Sequence, residues 1–111
     1  MEGQPLRPEL KYGVKYDTGK VRMDLIPPEA LFALSDILTY GAAKYEDRNW
    51  EKGMKWGRVF AASMRHFWKW WMGEEKDPES GKPHLHHGFC GIAFLIAYSE
   101  RKKGEDDRYR E

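Results

Sequence analysis

A single cysteine, Cys90, in 111 residues excludes an internal disulfide framework and a zinc knuckle built from several thiolates, and it fits a reducing compartment. A surplus of charge is missing too. Nineteen basic and eighteen acidic side chains leave a formal charge of +1, too little to coat a duplex or an anionic membrane, which argues against a nucleic-acid partner. The longest nearly apolar run, Gly88–Tyr98, falls short of a bilayer span. The opening MEGQPLRPELKYG has no apolar stretch of signal-peptide length. No segment alternates apolar and polar residues long enough to build a sheet, and no internal repeat is visible. These absences point to one soluble, cytoplasmic domain with no membrane partner, about 13 Å in radius of gyration if compact.

What is present favours helices. Residues 1–26 hold Pro5, Pro8, Gly13 and Gly19 and read as an extended N-terminal arm, with Tyr12, Val14, Tyr16, Val21, Leu25 and Ile26 as apolar anchors that drape it over the body. Pro27-Pro28-Glu29 opens a helix, because proline suits the first turn and a carboxylate there faces the positive helix end. Leu31, Leu34, Leu38, Ala42 and Tyr45 then recur at steps of three and four, predicting a helix over 29–45. A polar and aromatic loop follows. A second helix is predicted over 57–72, with Phe60, Met64, Phe67 and Trp71 as its apolar stripe, Val59, Ser63, His66 and Trp70 beside it, and Arg58, Arg65 and Lys69 on another face. The third, over 83–101, is apolar nearly all round and should be central. Together, 27–101 form an all-α domain, a small bundle of three main helices, and 102–111 a charged tail expected to fray. Five tryptophans in so short a chain strengthen a small core and leave aromatic stripes that self-association, as a homo-oligomer of two or more copies, would cover.

Two groups of residues carry possible chemistry. His84 and His87 stand at i and i+3 in the first turn of the third helix, where the positive helix end favours the neutral imidazole that binds metal or donates to phosphate. Glu74, Glu75, Asp77 and Glu79 precede them, and His66 borders the second helix. Acidic residues beside histidines suit a divalent cation, while hydrogen bonding within the core is the plainer alternative. The second group is Lys44-Tyr45-Glu46-Asp47-Arg48-Asn49-Trp50. It combines cations for phosphate, an amide for a base edge and rings for stacking, or else is a solvated loop anchored by Trp50.

The order KYDTGKVRMDLIPPEAL, YGAAKYEDRNWEKG and MRHFWKWWMGEEKDPESGKPHLHH resembles the phage-encoded dATP/dGTP diphosphohydrolase N-terminal domain family, loosely related to the all-α nucleoside triphosphate pyrophosphohydrolases. The likeness runs from Lys15 to Tyr98. Its first motif falls on Asp17, Lys20, Arg22, Asp24 and Glu29, and its second on Lys44, Tyr45, Arg48, Asn49 and Trp50. The third falls on Arg65, His66, Glu74, Asp77, Glu79, Ser80, His84 and His87. Gly91 stands where the family pattern has Asn, and of the paired-carboxylate helix motifs only Glu74 with Asp77 copies one, in a turn.

The resemblance implies a metal-dependent pyrophosphohydrolase that converts a purine nucleotide, dATP or dGTP, to the monophosphate and pyrophosphate, in the host cytoplasm. On that basis Glu79, His87 and His66 are the catalytic candidates. Asp77, Glu79, His84, His87 and Glu29 are candidate ligands for a divalent metal, magnesium or manganese, with zinc possible because imidazole suits a borderline cation. Lys20, Arg22, Lys44 and Arg65 would neutralise phosphate, and Tyr45, Arg48, Asn49 and Trp50 would hold the nucleotide. The alternatives are a non-catalytic nucleotide-binding or sequestering module, and a structural or interaction protein.

Overall fold

Proline sets where two of the three helices begin. In the computed structural model, which describes residues 11–110, α1 spans Pro28–Lys44, α2 Trp56–Trp71 and α3 His84–Arg101. Pro27 and Pro83 are the N-caps of α1 and α3, and Pro28 takes the first helical position. Each boundary lies within a residue of the sequence expectation. Short 3-10 turns cover Met23–Leu25 and Asn49–Lys52. Among the described residues no strand forms, and only isolated bridges pair Lys55 with Glu105 and Lys76 with Pro83. Pro5 and Pro8 of the arm, and Glu111, lie outside the described residues.

α3 packs against both α1 and α2, whereas α1 and α2 barely meet. The central helix that is apolar all round is therefore the floor of an open V. Asp36 of α1 fastens one side, taking an ion pair from Lys82 Nζ at 2.7 Å and a contact from His86 Nδ1 at 3.0 Å. Lys82, followed by His86, holds the Asp36 carboxyl below the usual carboxylate range.

The other side closes on small residues. Ser63 of α2 is buried and its Oγ donates to the Gly88 carbonyl at 3.0 Å. A Cβ added at Gly91 would overlap the Ser63 hydroxyl, and one at Gly88 would overlap the Phe67 ring. The face of α2 that is buried thus centres on Val59 and Ser63, not on the expected stripe: Phe60 and Trp71 remain 52% and 71% exposed. The small Ser63 faces Gly91 and the Phe67 ring faces Gly88, and the two glycines of α3 are what let the helices approach. This close approach also accounts for Gly91 in place of Asn, since the Ser63 hydroxyl fills the space where a side chain at 91 would begin.

Two further expectations are corrected. The tail does not fray: the Trp56 N–H donates to Glu105 O at 2.9 Å and Glu105 N–H to Met54 O at 3.2 Å. Asp107 Oδ1 accepts from the Gly57 N–H at 2.7 Å, capping the start of α2, and Trp56 Nε1 donates to Lys103 O at 2.8 Å. These backbone partners hold 103–107 across the α2 N-terminus. Residues 11–26 of the arm, by contrast, are not draped over the body. Tyr12, Val14, Tyr16, Val21, Leu25 and Ile26 are all exposed, and the Cα radius of gyration is 20.5 Å with a long axis of 62 Å, well above the compact value expected.

If the Ser63–Gly91 approach locks α2 to α3, Gly91→Ala should lose about 1–3 kcal/mol of stability by overpacking. Adding Ser63→Ala to it should recover part of that loss, although Ser63→Ala alone removes a buried hydrogen bond. Urea denaturation of the single and double variants checks this, and a double variant no more stable than Gly91→Ala would refute it.

Candidate functional site

Because α1 and α2 lean on α3 and barely meet, a groove of about 1340 Å³ opens between them. α1 contributes Tyr40, Gly41 and Lys44 at its C-terminal end, α2 contributes Lys55's neighbour Arg58 together with Arg65 and His66, and α3 contributes His87, Gly91 and Phe94. The loop after α1 supplies Tyr45, Arg48, Asn49 and Trp50, and the turn before α3 supplies Asp77, Glu79 and Ser80. Most of the residues singled out in the sequence therefore meet in one place. Two observations order that place: the cations and the histidines.

Several cations line the groove with different freedom. Arg48 lies 3.7 Å from Glu51. Lys44, Arg58 and Arg65 have no carboxylate within 4.0 Å among the described residues. Lys44 Nζ lies 5.9 Å from the Tyr40 ring centroid and 5.4 Å from that of Tyr45. The neighbouring Tyr45 raises the Lys44 pKa, so it stays charged. Arg58 and Arg65 stand two helical turns apart on one exposed face of α2. Unpaired cations on both walls suit a polyanion.

Three of the four histidines cluster at the end of the groove. His66 stacks on His87 with centroids 4.5 Å apart and planes at 10°. His87 Nε2 is 2.7 Å from Ser80 Oγ and 3.9 Å from Asp77 Oδ2, and Ser80 Oγ also accepts from the Lys82 N–H at 3.1 Å. Behind them His84 is fully buried. Its Nδ1 meets His66 Nδ1 at 2.8 Å and its Nε2 meets Glu74 Oε1 at 2.8 Å. Burial, with the neighbouring His87 and His84, pushes the His66 pKa down to about 4. Burial likewise lowers that of His87, so both rings are neutral at pH 7. Burial works to raise the Asp77 carboxyl, but the Glu79 amide and the nearby His66, His87 and His84 outweigh it and leave the group lowered. The cluster combines neutral imidazoles, a hydroxyl and an ionised carboxylate, a set able to accept and pass protons.

Not every expected residue joins. Lys20 and Arg22 do not line the groove, and Arg22 is paired with Asp24 at 2.8 Å in the exposed arm. Glu29 lines a separate depression with Asp36 and His86. His84 forms the wall behind the groove, with both ring nitrogens engaged. Among the described residues no group of three or more His, Cys, Asp or Glu side chains is arranged to hold a metal ion. Trp50 is used in packing, stacked on Phe94 at 4.8 Å and 10°, with the Arg101 guanidinium 5.2 Å from its ring and its carbonyl accepting from Tyr98 Oη at 2.6 Å. One face of the indole is thus closed to a base. Cys90 lies under the groove as a buried thiol whose pKa burial pushes up to about 12, which makes it inert. Arg58 was the residue missed. Its shared face with Arg65 was the available signal.

This constellation has relatives. The family described as dATP/dGTP diphosphohydrolase, N-terminal, matches residues 11–108, and the chain belongs to it. A protein of Salmonella phage PMBT28 named dATP/dGTP diphosphohydrolase is 31% identical over 96 residues, which is 86% of this chain and 33% of the phage protein. The chain thus spans about a third of the length of the curated relative it matches. No solved structure matches.

A neutral His66 carries a cost in acid. The unfolded chain takes up this proton near pH 6.5 and the folded chain only near pH 4, so stability present above about pH 6.5 is lost as pH falls toward about 4. The thermal midpoint should therefore drop between pH 7 and 5 by more in the native chain than in His66→Gln. Equal drops in both would show that His66 does not hold its proton off.

Proposed function

We propose that the groove binds a purine deoxynucleoside triphosphate and that the protein, in the host cytoplasm, releases the monophosphate and pyrophosphate from it. The observation that supports this most is the placing of Lys44, Arg58 and Arg65, all without carboxylate partners among the described residues, beside the His87–Ser80–Asp77 group in one groove. The family membership and the printed name of the phage relative point to the same substrate class. In this reaction Lys44, Arg58 and Arg65 neutralise the phosphate oxygens, as phosphoryl chemistry requires. Neutral imidazole takes the proton of the attacking water, and Asp77 stabilises the imidazolium that results. Asn49 and Tyr45 line the end where a base would lie.

A second role draws on the same observation. Lys44, Arg58 and Arg65, without carboxylate partners among the described residues, would equally serve a module that holds the nucleotide without cutting it. Incubation of the purified chain with dATP or dGTP, followed by chromatography for monophosphate and pyrophosphate, separates the two. Arg58→Ala and Arg65→Ala should each weaken nucleotide binding about tenfold, the loss of one charge-assisted contact, without moving the unfolding midpoint. His87→Ala should abolish pyrophosphate release in a chain that stays folded. Unchanged affinity in both arginine variants would end the nucleotide reading. A His87→Ala chain that unfolds, with its folded fraction fully active, would make His87 structural.

The same proposal includes self-association. Phe60, Trp68, Trp71 and Met72 leave an apolar flank on and just beyond α2, 52–79% exposed, that a second copy would cover. Sedimentation at micromolar concentration is expected to give a species heavier than 13.1 kDa. A monomer would count against it.

A further inference from the structure

His84 has no access to water, so each of its ring nitrogens must be satisfied by the protein. Nε2 lies 2.8 Å from Glu74 Oε1. An ionised carboxylate only accepts, and Nε2 therefore carries a proton. Nδ1 lies 2.8 Å from Nδ1 of His66, and of two nitrogens in contact one donates and the other accepts. His84 is the first residue of α3, and one ring proton, held on Nε2 by Glu74, satisfies both of its contacts. A neutral His84 protonated at Nε2 has a bare Nδ1. His66 must then donate from Nδ1, and a neutral ring protonated there has no proton on Nε2.

We propose that Glu74 and His84 are positioning residues that fix His66 as its Nδ1–H tautomer and leave the Nε2 of this groove-lining ring as a free proton acceptor. Three observations fit together here. His66 lines the groove while its Nδ1 edge faces the buried ring. Its Nε2 has no hydrogen-bond partner among the described residues. Stacking on His87 at 4.5 Å keeps the ring from turning. The chain runs from an exposed carboxylate, through a buried imidazole, to an acceptor in the groove. Its logic is that of any histidine whose reactive nitrogen is set by the hydrogen bond made at the other. The use made of that acceptor, to take a proton from water attacking a nucleotide, rests on the function proposed above, whereas the tautomer does not.

Glu74 is 46% exposed and His84 is 1% exposed, so variants at Glu74 probe the relay without emptying the core. Long-range proton–nitrogen correlation spectra of histidine-labelled protein at pH 7 distinguish protonated from bare ring nitrogens, with the His66 signals identified by their loss in His66→Gln. The native chain should show His66 protonated at Nδ1 and bare at Nε2. Glu74→Ala should mix the two tautomers, and Glu74→Gln, whose amide oxygen still accepts from His84, should restore the native pattern. A His66 protonated at Nε2, or a Glu74→Ala spectrum identical to the native one, would overturn the relay. In pyrophosphate release from dATP, Glu74→Ala should lower kcat about tenfold or more at unchanged KM, with recovery in Glu74→Gln. Unchanged kcat would remove the positioning role. If the native chain releases no pyrophosphate, the function reading fails alone and the spectra still decide the relay.

Discussion

A histidine with no exposure to water organises this small protein. His84 needs two partners, and it draws one from α2 and one from the turn ahead of α3. His66 supplies the first, fixing the roll of α2 against α3. Glu74 supplies the second, and with it the whole Gly73–Pro83 segment is folded back: the His84 N–H donates to Glu75 O at 2.9 Å, and the Asp77 N–H to Lys82 O at 2.9 Å. Asp77, Glu79 and Ser80 are thereby carried to the groove although they sit in an acidic, turn-rich stretch that composition alone would leave in solvent. Leaving either His84 nitrogen unsatisfied in the interior would cost about 1–3 kcal/mol, a large share of what a domain of this size has to spare.

The groove exists because the three helices do not close into a ring. α3 receives α2 through Ser63, Gly88 and Gly91, which bring the backbones close, and receives α1 through the Asp36–Lys82–His86 contacts. A tight seam on one side and a polar clasp on the other leave the C-terminal end of α1 facing Arg58 and Arg65 across open space. The loop between is braced from below rather than packed shut, by Tyr98 on the Trp50 carbonyl and by Phe94 on the Trp50 ring. The docked tail braces its far end. Rigidity in the floor and loop, with polar walls, is how a small chain holds a wide concave surface.

The helices were legible because their signals are local. Proline at a first turn and apolar residues every three or four positions act within one segment, and all three helices follow them closely. The face that α2 buries was not legible, because ranking apolar residues by size points to Phe60 and Trp71, while the true contact depends on glycines in a helix 25 residues further on. The charged residues of the tail suggest fraying, yet what holds 103–107 is mostly backbone: Trp56 to Glu105 and Glu105 to Met54. Backbone hydrogen bonds leave no mark on composition. In the site, the loop from Lys44 to Trp50 and the histidine cluster were found as patterns, but their roles divided differently. His84 and Trp50 went to architecture, and Arg58 joined the groove because helical phase, not sequence proximity, puts it beside Arg65.

The electrostatics of the cluster and of the groove belong together. His66 is kept neutral by burial with His87 and His84 beside it, and His87 by burial with His84 and His86 beside it, while Lys44, Arg58 and Arg65 leave the adjoining walls positive. The protein's own groups therefore disfavour a proton on these rings. A polyanion seated among the three cations reverses the local potential, and each negative charge near an imidazole favours its protonated form. Under the proposed reaction, the proton accepted from attacking water finds a ring that the substrate itself has made more basic. Asp77, held ionised beside His87, adds to the same tendency. Under that reaction the neutral rings are the form that can accept a proton, and a bound nucleotide would make accepting one favourable.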